Sequence, residues 1–154
     1  MELLIQENQN NAAAGQLKDE LQAIGVERFT ARDHRPGTVR HIVLFRYNPS
    51  VSEAEKAEIE RRFMALQSGA RPDGRPYIWS IESGAQSSAE GAHHGFDHGF
   101  IVTFESAGDR NYYVGRPLVN DPRYYDALHD EFKSFVGPHL VPGPEGVLVF
   151  DFAA

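Results

Sequence analysis

The hydrophobic pattern centres on Val39 to Tyr47, a run of Val-Arg-His-Ile-Val-Leu-Phe-Arg-Tyr, rich in Val, Ile, Leu, Phe and Tyr, that ends at Asn48-Pro49. This β-branched and aromatic content predicts a strand. Side chains alternate between faces, so one face carries Val39, His41, Val43, Phe45 and Tyr47, and the other Arg40, Ile42, Leu44 and Arg46. Both have an apolar middle, which predicts a strand covered on both sides. Downstream the period changes to that of a helix. Ser52 with Glu55 forms a capping-box pattern, and Ile59, Phe63 and Leu66 make a buried stripe up to about Gln67. A loop over 68–75 leads to a second strand over 77–82. A small, polar connection over 85–95 precedes a third strand over 97–104, with His98, Phe100, Val102 and Phe104 on one face. A short helix is predicted from Ser106 to Gly115. Asp121-Pro122 reads as the start of a second long helix with Tyr125, Leu128, Phe132 and Phe135 inward, stopped by Gly137-Pro138. The last strand is 146–152.

This order, β-α-β-β-α-β, predicts an α+β, ferredoxin-like antiparallel sheet. Two helices cover one face of such a sheet. The face bearing His41, Val43, Phe45, His98, Phe100, Val102 and Phe104 is expected to be the other one. Left open it would be an apolar patch of interface character, so two sheets are expected to pack face to face in a homodimer. Residues 1–37 read as a partly helical, basic N-terminal extension and 38–154 as the barrel domain. Within the extension, 1–15 are expected to be loosely packed, 16–24 helical, and 26–31 an extra edge strand. Arg28, Arg32, His34 and Arg35 read as a solvated or dimer-contacting arm.

Composition narrows the chemistry. The 154 residues contain no cysteine, which excludes disulfides, a thiol nucleophile and thiolate metal sites. A net charge of −7 argues against nucleic acid as the partner. No apolar run approaches the roughly 20 residues of a membrane span, and the N-terminus lacks a signal-peptide pattern, so a cytoplasmic protein away from membranes is expected. Titratable candidates are His41 and His98 on the aromatic face, with Tyr113 and Tyr124 placed to join them at one barrel mouth. The alternative is a pair of hydrogen-bonded core histidines. His93-His94-Gly-Phe-Asp-His98 gathers ligand-type side chains, but its spacing matches no tight metal motif, and neither metal nor cofactor is expected. His129 and His139 read as surface residues. There is no glycine-rich phosphate loop and no Gly-x-Ser-x-Gly stretch.

Arg40-His-Ile-Val-Leu-Phe-Arg-Tyr47 resembles the opening strand of the stress-responsive A/B barrel (Dabb) family. The segment from Pro49, the stretch Asp97-His-Gly-Phe-Ile-Val-Thr-Phe-Glu-Ser106 and Gly146-Val-Leu-Val-Phe-Asp-Phe152 are similar to its later blocks, in order. The resemblance covers about 38–153 and implies a dimeric α+β barrel. One plant polyketide cyclase of this family works through a histidine and a tyrosine. That likeness implies pocket histidines at His41 and His98 and a catalytic tyrosine at Tyr113. Tyr124 stands where the cyclase has its catalytic histidine, and Phe63 where it has a tyrosine. Tyrosine, with an ordinary pKa near ~10, is a poor base at neutral pH. These departures favour a dimeric small-molecule-binding scaffold, with a cofactor-free cyclase-like or oxygenase-like enzyme as the alternative. The site implied is a cavity for a flat, partly aromatic ligand lined by His41, Phe63, His98, Tyr113 and Tyr124, with Phe45 and Phe100 as further walls. The first and third strands should run antiparallel, which sets His41 and His98 toward opposite ends of the sheet, whereas the cyclase likeness sets them in one cavity.

Overall fold

The computed structural model describes residues 11–154. Helix α1 (Ala12–Ile24) starts four residues earlier than the loose segment expected over 1–15 would allow, because the Asn11 side chain accepts a hydrogen bond from the Ala14 amide and three alanines follow it. The rest of that segment lies outside the described residues. The extra strand expected over 26–31 is instead a helical turn, α2 (Val26–Phe29). Both the amide and the hydroxyl of Thr30 bond back to the Val26 carbonyl, which closes the turn and buries Phe29.

Strand β1 (Pro36–Phe45) is followed by helix α3 (Glu53–Ala65), strands β2 (Ile78–Ala85) and β3 (His98–Ser106), helices α4 (Ala107–Val114) and α5 (Ala127–Val136), and strand β4 (Val147–Ala153). All pairings are antiparallel, in the order β2-β3-β1-β4, which is the α+β ferredoxin-like sheet expected. The capping box closes at both ends, Glu55 N to Ser52 Oγ at 3.1 Å and Ser52 N to Glu55 Oε1 at 3.0 Å.

Two expectations about faces are corrected. The face with His41, Val43, Phe45, His98, Phe100, Val102 and Phe104 is the one beneath the helices. Phe63 of α3 stacks on Phe100 at 4.0 Å, Phe132 of α5 meets Phe63 at 5.0 Å, and Tyr113 of α4 meets Phe104 at 5.2 Å. The outer face carries the other alternation, in rows that register sets across the sheet: Gly84, Gly99, Leu44 and Leu148; then Glu82, Ile101, Ile42 and Phe150; then Ser80, Thr103, Arg40 and Phe152. On β1 and β3 the rings of Phe45, Phe100 and Phe104 lie on the helix side and are buried there, whereas on β4 the rings of Phe150 and Phe152 lie on the outer face.

The second correction concerns α5. Asp121 caps only a 3-10 turn, Pro122–Tyr124, and the α-helix is capped anew by Asp126, whose carboxylate accepts from the Leu128 and His129 amides. The later start rotates the stripe. His129, Phe132 and Val136 are buried, and Leu128 is exposed.

The extension is stitched to the domain. The Gly108 and Ala107 amides bond to the His34 and Arg35 carbonyls, and Asn111 Nδ2 bonds to the Phe29 carbonyl. Arg71 bridges the Thr30 carbonyl at 2.7 Å and Asp109 at 2.6 Å. Of the basic run, Arg32 crosses to Asp73 of the domain, while Arg35 pairs with Glu20 and Arg28 with Asp33 inside the extension, where both arginines stay exposed.

Candidate functional site

His41 projects from β1 toward α4, directly across from Asp151 on β4. Its Nδ1 lies 2.6 Å from Asp151 Oδ1, and Arg110 of α4 reaches Asp151 Oδ2 at 3.1 Å. Burial pushes the Asp151 carboxyl up, but the hydrogen bond and charge of His41 and the charge of Arg110 outweigh it, and the group is held below its usual range. It is therefore a carboxylate, and His41 Nδ1–H donates to it. Of the two neutral tautomers, this bond selects the one with the lone pair on Nε2. Tyr113 packs edge-on against the His41 ring at 5.5 Å and stacks on His129 at 3.7 Å, nearly parallel. His129 Nδ1–H donates to the Tyr113 carbonyl at 2.5 Å.

The Tyr113 hydroxyl is buried without a hydrogen-bond partner among the described residues. Burial, followed by the charges of Asp126 and Asp151, holds its pKa far above 10, so it is a donor and never a base here. Leaving such a group unpaired costs about 1–3 kcal/mol. The arrangement therefore offers a carboxylate-oriented imidazole beside an unsatisfied O–H donor, a pairing suited to holding, or moving a proton on, a carbonyl or hydroxyl oxygen.

His98 is elsewhere. It pairs across from Phe45, whereas His41 pairs across from Val102. Four strand residues separate the two levels, about 13 Å. The stacked rings of Phe63 and Phe100, with Phe45 packed on both, fill the inner face at the His98 end. His98 bonds instead to Tyr47 Oη at 2.7 Å through Nδ1, and through Nε2 to Ser83 Oγ at 2.9 Å and Glu60 at 3.0 Å. Tyr124 is half-buried on its 3-10 turn with the Arg123 guanidinium over its ring. The single cavity joining His41, Phe63, His98, Tyr113 and Tyr124 is thus replaced by two separate clusters, with Phe45, Phe63 and Phe100 as core between them. Antiparallel register is the cause.

His129, read from the sequence as a surface residue, is the ring that stacks on Tyr113. Its spacing to Phe132 and Val136 carried the signal once the helix is started at Asp126. Asp151 was legible only as an acid inside an apolar strand, and Arg110 had no signal. His93 and His94 are exposed, and among the described residues no group of three or more His, Cys, Asp or Glu side chains is arranged to hold a metal.

Burial, then the charge of Lys133, drives the His129 pKa well below 6.5, against the weaker pull of its bond to the Tyr113 carbonyl. The folded state therefore resists a proton that the unfolded chain accepts. The stability this ring permits is present above its unfolded pKa and declines as pH falls below about 6.5. Thermal midpoints should fall between pH 6.5 and 5. The slope should flatten in His129→Gln, though not vanish, because burial lowers the His98 pKa as well. An unchanged slope refutes the assignment.

A hydroxynitrile lyase from Passiflora edulis superposes with a TM-score of 0.58 at 22% identity, over 77% of this chain and 94% of that one. A protein from Arabidopsis thaliana gives 0.59 at 25% identity, over 75% and 94%. A dimeric ferredoxin-like protein of unknown function from Jannaschia gives 0.54 at 21%, over 77% and 100%. No functionally curated protein matches by sequence. The family model of the stress responsive A/B barrel domain matches residues 39–154, from within β1 through β4 with the covering helices. The chain belongs to the stress responsive A/B barrel domain family.

Proposed function

We propose that the protein is a homodimer in which each barrel binds a small, partly aromatic compound through an oxygen, at the Asp151–His41–Tyr113 cluster. The dimer reading is supported by the outer face, where Phe150 is 60% exposed beside Phe152, Leu148, Ile42 and Ile101, and by a structural neighbour described as dimeric. The observation that carries the ligand reading is the buried, unpartnered Tyr113 hydroxyl next to an imidazole that Asp151 holds in one tautomer. A ligand oxygen would accept from Tyr113 O–H, and its aromatic body would lie against the His41, Phe104 and His129 rings.

Benzaldehyde is a suitable probe. Titration followed by NMR should shift the His41 and His129 ring signals. Tyr113→Phe and His41→Ala should each weaken binding about tenfold or more without changing the sedimentation coefficient. Benzaldehyde that leaves both rings unmoved at millimolar concentration, or binds Tyr113→Phe equally well, overturns the reading.

The Asp151–His41 hydrogen bond favours a second reading, cofactor-free acid–base catalysis, since a carboxylate on Nδ1 makes Nε2 a competent base. One neighbour is a hydroxynitrile lyase, so mandelonitrile cleavage is the assay to run. Nε2 would take the hydroxyl proton while the bond to cyanide breaks and benzaldehyde forms. Release lost in His41→Ala and depressed in Asp151→Asn supports catalysis; release no faster than in buffer refutes this activity and leaves the binding reading standing.

A further inference from the structure

The N-terminal extension reaches the His41 cluster through one side chain. Asn111 of α4 is buried and is used at both ends of its amide. Its Nδ2 donates to the Phe29 carbonyl at 2.9 Å, and its Oδ1 accepts from Arg110 Nε at 2.9 Å. Turning the amide over would set N–H against N–H and oxygen against oxygen, so the two contacts fix its orientation. Arg110 Nη1 then donates to Asp151 Oδ2 at 3.1 Å, and Asp151 Oδ1 accepts from His41 Nδ1 at 2.6 Å. An unbroken series of hydrogen bonds thus runs from the backbone at residue 29 to the imidazole beside Tyr113.

The close approach that makes this possible is built into α4. Gly108 stands one turn before Asn111 on the same face of the helix. Its missing side chain lets the Ala31 carbonyl oxygen come to 1.7 Å from where a Cβ would be. Arg71 clamps the same stretch between the Thr30 carbonyl and Asp109. Arg110 depends on the result. It meets Asp151 through a single nitrogen, and one such bond leaves a long side chain free to swing about it. The second bond, from Nε to Asn111, fixes the plane of the guanidinium fork.

We infer that the N-terminal extension is a positioning element for the His41 cluster: docked on α4, it orients Asn111, which sets Arg110 on Asp151, and Asp151 holds the His41 ring. Asn111 and Arg110 are positioning residues that act through Asp151. Lifting the segment at 29–35 frees Asn111 and Arg110, and His41 loses part of its preference for carrying the proton on Nδ1. The consequence for affinity rests on the reading of the Tyr113 cluster as a binding site; the positioning does not.

The test reads the ring-nitrogen NMR signals of His41 and His129 in the full chain without ligand. His129 Nδ1 donates to the carbonyl of Tyr113, also on α4, so its signals report whether α4 itself stays in place. In Asn111→Ala the His41 signals should move toward the Nε2–H tautomer while those of His129 stay. Gly108→Ala, which lifts the segment and keeps the Asn111 side chain, should move His41 the same way. Arg110→Gln interrupts the series at its next member and should do likewise, which covers an Asn111 variant that fails to fold. Arg28→Ala, which removes an exposed pair with Asp33 inside the extension, should move neither ring. His41 signals that hold still in Gly108→Ala or in Asn111→Ala overturn the inference, and so does an equal shift of His129, which marks a general loosening of α4. Asn111→Ala should also weaken benzaldehyde about fivefold or more, as expected of coupled sites. A parent protein that binds no benzaldehyde refutes the ligand reading, and the His41 signals still decide the positioning.

Discussion

Phe150→Asp is expected to turn the proposed dimer into a folded monomer. Phe150 stands in the middle outer-face row beside Ile42 and touches none of the helix-side core. A carboxylate pressed between two apolar sheets has no partner to offset its lost hydration. The cost of about 3 kcal/mol or more per interface corresponds to at least a hundredfold rise in the dissociation constant. Sedimentation at micromolar concentration should show the single-chain mass with circular dichroism unchanged. The contrast is Phe100→Asp, whose ring is 1% exposed between His98 and Phe63 and whose loss should unfold the chain. A Phe150→Asp protein that sediments as a dimer would move the interface away from this face.

Gly108→Ala is the second large effect expected, and it acts on the extension. A methyl group at Gly108 would sit 1.7 Å from the Ala31 carbonyl oxygen and 2.8 Å from its carbon, a collision of backbone with backbone that no rotamer relieves. The segment at 29–35 must lift from α4, breaking the bonds of Gly108, Ala107 and Asn111 to it and exposing Phe29. Overpacking of this kind costs about 2–3 kcal/mol, or about 4–12 °C in a domain of this size. Limited proteolysis should then cut near residue 31 before it cuts the barrel. A midpoint within about a degree of the parent would mean that the extension contributes little to the fold.

The element order, the ferredoxin-like sheet and the family were legible in the chain itself. The β-branched and aromatic runs over 39–47 and 97–104, the Ser52–Glu55 box and the Gly137-Pro138 stop are local signals, and each acts within a few residues of where it is written. The extension was legible in part: its first helix is there, but Val26 to Thr30 turned helical because the Thr30 bonds to Val26 outweighed β-branched propensity. The start of α5 was misplaced because Asp121-Pro122 and Asp126 are both competent caps, and only packing against Tyr113 and Phe63 selects between them.

By itself the sequence determined what each strand could present: two apolar faces on β1, and titratable side chains on one of them. It could not say which face the helices would take, since alternation is symmetric until a helix packs. Helix packing made that choice and placed the Phe45, Phe63 and Phe100 cluster inside and Ile42, Ile101 and Phe150 outside. Nor could it place His41 with Asp151, 110 residues away along the chain, or separate His41 from His98. Both depend on strand register, which is a property of pairs of strands. Only the tertiary structure, by setting that register, decided which histidine meets Tyr113.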